Sequence, residues 1–121
     1  MFGLINIALV MLIASMPFTC TSCITDIDIA FEVTNAMNTS RHDIIVDISG
    51  PGIVERLGIF EHGRHEVFLK TFEVSHSKQR TVRVNFTITD LVTGGVIVKR
   101  DIQLTIDRTI ALVITDRDFG R

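Results

Sequence analysis

Between Thr81 and Asp90 the side chains change character at every step. Val82, Val84, Phe86 and Ile88 alternate with Arg83, Asn85, Thr87 and Thr89. A period of two puts an apolar row on one face of a β-strand and a polar row on the other. After the turn signal Thr93-Gly94-Gly95 the alternation resumes, with Ile102, Leu104 and Ile106 set against Asp101, Gln103, Thr105 and Asp107. Two such strands form a ribbon with one apolar face, which needs an opposing layer to be stable.

The rest of the chain supplies that layer. Ile27, Ile29, Phe31 and Val33 alternate with Asp28, Ala30 and Glu32, which predicts a first strand, and the polar run Asn35–Arg41 predicts a loop. Ile44, Val46 and Ile48 predict a second strand, stopped at Ser49-Gly50-Pro51-Gly52, where proline lacks a ladder donor and glycine admits unusual backbone angles. Ile53–Phe60 is a less regular strand. His62-Gly63 reads as a hairpin tip returning through Val67–Val74, with Phe68, Phe72 and Val74 on one side. Lys70 falls in that apolar row, which predicts either a snorkelling side chain at a sheet edge or a break in register. Thr109–Thr115 forms the last strand, with Ile110, Leu112 and Ile114 on one face and Ala111 and Val113 on the other, so that both faces are apolar.

About seven strands with turn signals every 8–12 residues or so predict an all-β, antiparallel β-sandwich of immunoglobulin-like architecture. Such a sandwich lacks the usual buried tryptophan and inter-sheet disulfide here, because the chain has no Trp and its two cysteines, Cys20 and Cys23, both precede the first strand. A small closed β-barrel is the alternative. With 121 residues there is room for one sizeable core.

The first charged residue is Asp26, and Leu4–Met16 is a continuous hydrophobic block, with Asn6 and Ser15 as its polar residues, followed by small residues. That length is short for a bilayer span of about 20 residues and suits a secretory signal peptide. The expected division is a signal peptide over residues 1–22 and a β-sandwich domain over 24–121, secreted or held at the cell envelope. The leader's n-region carries no Lys or Arg, so a retained signal-anchor is the other reading. Cys20 and Cys23 are the only cysteines and sit at the processing site. Acylation of Cys23, giving a membrane tether, and ordinary cleavage nearby are both open. A Cys-x-x-Cys redox pair is disfavoured because no thioredoxin-like βαβ pattern surrounds it.

A net charge of −2 removes the simplest case for nucleic acid, which needs a concentrated basic surface. The absence of Trp and Tyr weakens a carbohydrate-stacking reading. Glu61-His62-Gly63-Arg64-His65-Glu66 is the densest run of metal-capable side chains. His62 and His65 are its candidate ligands, with a metal-dependent hydrolase as the function they would imply. Zinc needs three or four converging donors, and Arg64 between the histidines opposes a cation. Asp26-x-Asp28 and Asp116-Arg117-Asp118 match no calcium loop. No Gly-x-Ser-x-Gly elbow occurs, and Ser75-His76-Ser77 reads as a surface loop. Asn38-Thr39-Ser40 and Asn85-Phe86-Thr87 fit the N-glycosylation pattern.

The sequence therefore predicts an exported binding module without catalytic activity or cofactor. It would recognise a protein partner through a sheet face, an edge or loops, with Ala111 and Val113 as the partner-surface candidates; a central strand shielded by its neighbours, which needs no partner, is the other reading of that two-faced strand. A lipid-anchored structural or assembly subunit of the envelope is the alternative. The sequence carries no signature of the oligomeric state.

Overall fold

The computed structural model describes residues 25–121. The segment expected to be a leader, its expected cleavage point and the acylation candidate Cys23 lie outside the described residues. Seven strands are present: β1 (Thr25–Asn35), β2 (Ile44–Gly50), β3 (Ile53–Phe60), β4 (His65–Val74), β5 (Thr81–Asp90), β6 (Val96–Thr105) and β7 (Ile110–Ile114), followed by a 3₁₀ helix at Asp116–Phe119. They form two packed sheets, a smaller one in the order β4-β1-β7 and a larger one in the order β3-β2-β5-β6. The protein is an all-β sandwich.

Every ladder is antiparallel except that of β1 with β7, which is parallel. The exception follows from the connections. β6 ends in the larger sheet, and the chain crosses to the smaller one through residues 106–109, so β7 arrives running the same way as β1.

The alternation read from sequence decides which side chains meet. Ile29, Phe31 and Val33 of β1 face Ile44, Val46 and Ile48 of β2 and Val82, Val84, Phe86 and Ile88 of β5, all buried. Phe31 is the centre of this layer. Its ring stacks on Phe68 with centroids 5.7 Å apart and meets Phe86 edge-on at 5.6 Å, so one side chain couples the two sheets. The β2–β3 hairpin closes through Pro51-Gly52, with Gly52 in the left-handed region at φ 77°. A side chain there would be strained and would also run into Glu73.

Three expectations need correction. His62-Gly63 is not a hairpin tip: β3 pairs with β2 and β4 with β1, so residues 61–64 form a corner between sheets. Ile106 does not join the apolar row of β6, because the strand ends at Thr105 and the chain turns away, leaving Ile106 exposed. Asn35 does not open a solvated loop; it is the last residue of β1 and fully buried.

Candidate functional site

The two long sides of the sandwich differ. On one side β3 and β4 are the edge strands, and Lys70 spans them. It stands in the inward row of β4, as its place in the sequence predicts, and snorkels past Phe68 to Glu55 of β3, where Nζ and Oε2 are 2.5 Å apart. On the other side the edge strands are β6 and β7, and between them lies an apolar cleft of about 330 Å³. Its walls come from Ile102 and Leu104 of β6, from Ile110–Val113 of β7, and from Phe31 and Phe86 at its floor. The volume falls at the lower end of ligand-binding clefts, about 300–1,000 Å³.

A β-bulge shapes this cleft. β5 pairs Val84 with Ile102 but Phe86 with Lys99, so Arg100 and Asp101 together stand opposite Asn85. Asp101 takes the left-handed conformation, at φ 55°, and its N–H donates to Asn85 Oδ1 at 3.0 Å. The extra residue reverses the parity of the strand. Ile97 and Lys99 therefore face inward before the bulge, and Ile102 and Leu104 after it. Among the described residues Lys99 is the one charged side chain lining the cleft. Its Nζ lies 3.0 Å from Asp118 in the 3₁₀ helix. Asp118 also accepts the Thr115 N–H at 2.8 Å. Burial disfavours its ionised form, but the bonds from Thr115 and Lys99 outweigh this and hold the carboxyl below the ordinary range.

The spacing of β7 leaves open which of its two apolar faces turns inward, and the fold makes the choice. Leu112 and Ile114 are buried, while Ala111 and Val113 are exposed and line the lip of the cleft. The other sequence candidates do not converge. His62 Nε2 lies 3.2 Å from Asn38 Oδ1, whereas His65 Nδ1 lies 3.2 Å from Glu32. Among the described residues no three His, Cys, Asp or Glu side chains gather around one point. Asp28 accepts from Thr71 Oγ1 at 2.6 Å, and Asp116 accepts from the Thr39 and Ser40 N–H groups and from the Ser40 hydroxyl. Asn38 is exposed in a turn. Asn85 is half-buried, with its amide oxygen holding the bulge.

Sequence reasoning missed one polar cluster, at the end of the sandwich where β1 and β5 finish. Asn35 donates to the carbonyls of His42 at 2.8 Å and Phe60 at 2.9 Å and accepts the Met37 N–H at 3.1 Å. Asp90, fully buried, accepts the Val92 and Thr93 N–H groups at 2.8 and 3.2 Å, and also His42 Nδ1 at 2.8 Å and Arg121 Nη2 at 2.6 Å. Burial alone would raise the Asp90 pKa, yet these four donors together depress it well below the carboxylate range. The signal available was Asp90 before Leu-Val-Thr-Gly-Gly, the place of an aspartate that closes a turn on its own backbone. Nothing local pointed to His42 or Arg121. The neighbouring cleft of about 500 Å³, lined by Asn38, Thr39, Asp116, Arg117 and Arg121 among others, is polar, and Asp116 is already bonded to the β1–β2 loop.

Comparison with family models, with curated proteins and with solved structures gives no match. The functional reading rests on the geometry.

Proposed function

We propose that this chain is an exported β-sandwich binding module that performs no chemistry and captures an extended segment of a protein partner along the free edge of β7. The observation that carries this is the apolar cleft between β6 and β7. The smaller sheet has three strands facing four, and the cleft occupies the place of a fourth. A strand added there would complete the sheet through main-chain hydrogen bonds and would point alternate side chains into the cleft. The two edges are not equivalent. β6 is interrupted by its bulge and carries Lys99, Arg100 and Asp101, devices that discourage edge pairing. β7 is an uninterrupted apolar strand that pairs only with β1 among the described residues.

Val113→Lys tests the reading, because Val113 is 44% exposed and its replacement places a charge at the lip without touching the core. The variant should melt within a few degrees of the parent and lose binding to an array of extended peptides with alternating apolar residues. Undiminished binding by the folded variant would remove this surface from consideration. Intact mass of the chain recovered from its native host reads the rest of the proposal: loss of the leader marks export, and a diacylglycerol increment on Cys23 would favour the tethered envelope subunit instead.

A further inference from the structure

We infer that the segment received by β7 is an acidic–apolar strand of another protein, with an apolar side chain seated against Ile102 and Leu104 and a carboxylate on the same inward row bonded to Lys99. This rests on the strand-addition reading above and adds the chemistry of the partner. Within the cleft the inward row of β6 offers two apolar positions, Ile102 and Leu104, and, across the bulge, one ammonium. Side chains two apart on an added strand face the same way and lie about 6.6 Å from each other. An apolar-x-acidic spacing therefore matches the order of groups in the cleft.

Lys99 is able to take a second anion. An ammonium has three N–H donors, and Asp118 is its one ion partner among the described residues. Asp118 keeps its bond to the Thr115 N–H whether or not Lys99 is shared, so the 3₁₀ helix does not depend on Lys99 for its cap.

The surrounding charges favour the same partner. Arg100 beside the bulge, Arg108 in the β6–β7 connection and Arg117 beyond the end of β7 have no ion partner among the described residues. Of the nearby acids, Asp107 pairs with Arg80, Asp116 is bonded to Thr39 and Ser40, Asp118 faces Lys99, and Glu32, beside Ala111 in the ladder, lies 3.2 Å from His65. Asp101 is left as the exposed unpaired carboxylate on this side. Unpaired cations outnumber it, although the whole chain is acidic, and an anionic segment is steered toward the open edge.

The test is a selection of random heptapeptides displayed on phage against the purified full chain, followed by fluorescence anisotropy with the recovered sequences. The expected result is an alternating apolar pattern enriched in Asp or Glu. Replacing that acid by its amide should weaken binding at least tenfold in the parent and by less than twofold in Lys99→Gln, a coupling that a merely structural lysine would not produce. Ala111→Glu, at an exposed position on the lip, should abolish binding while circular dichroism remains that of the parent. Equal affinity for acid and amide peptides would overturn the carboxylate assignment and leave strand addition standing. Undiminished binding by Ala111→Glu, or no enrichment at all, would overturn both. Concentration-dependent dimerisation abolished by Ala111→Glu would assign the edge to a second copy of the chain and overturn the acidic partner.

Discussion

Asn35 and Asp90 show how much a buried polar group is committed to its surroundings. Asn35 satisfies two carbonyls and one N–H that no other side chain among the described residues reaches. Truncation in Asn35→Ala strands those groups in a water-poor site, where an unsatisfied polar group costs about 1–3 kcal/mol. Urea unfolding should therefore show a loss of about 2 kcal/mol or more. Asp90 makes a pH prediction. Its pKa is depressed in the folded protein and ordinary, near 3.8, when unfolded. The stability it contributes is thus fully present above the unfolded pKa and is lost as pH falls toward the lower folded value. The parent should weaken from about pH 5 downward, whereas Asp90→Asn should be less stable at neutral pH and vary less over the acid range. A breach of this buried network costs about 3–5 kcal/mol at neutral pH. Thermal melts at a series of pH values measure both. The turn-closing part of Asp90 was legible from the residues after it, but the pairing with Arg121 joins positions far apart in the chain.

Strands were the most legible elements, because burial on one face imposes a period of two that solvent exposure cannot mimic over ten residues. β5 occupies the residues its alternation marks, and β7 is a strand as expected, although its spacing does not say that Leu112 and Ile114 rather than Ala111 and Val113 turn inward. β6 is the instructive case. Read at one parity, its apolar row runs through Ile102, Leu104 and Ile106; in the folded chain the row is Ile97, Lys99, Ile102 and Leu104, because Asp101 absorbs one residue. Asp101→Gly should keep or slightly raise stability, since glycine enters the left-handed region freely. Asp101→Val should lose about 1–2 kcal/mol, because a β-branched residue is strained there. Chemical denaturation of the two variants separates strain from lost charge, which both remove. The corner at residues 61–64 was misjudged for a related reason. A glycine reports that the chain turns, and not whether it returns to the sheet it left.

At the scale of the molecule, the consequential asymmetry among the described residues is three strands against four. Lys70 and Glu55 close one long side, and the cleft leaves the other open. Phe31 holds the layers together between these sides, so Phe31→Ala removes two aromatic contacts and opens a cavity at the sheet interface. The expected cost is about 3–5 kcal/mol, a large part of the roughly 5–15 kcal/mol that stabilises a typical domain. Calorimetry should show a much lower melting temperature, and the cleft, whose floor is Phe31, should lose peptide binding.

Sequence alone determined the class of fold, the approximate strands and the two-faced character of Ala111 and Val113, because each depends on which side chains leave water and that choice is written at a spacing of two. Tertiary structure decided which edges stay open, that β7 runs parallel to β1, that a bulge turns Lys99 into an apolar cleft, and that Asn35, His42, Asp90 and Arg121 meet. Those outcomes depend on contacts between residues distant in the chain, and no local pattern encodes the partner of a buried charge or the vacant place beside a strand.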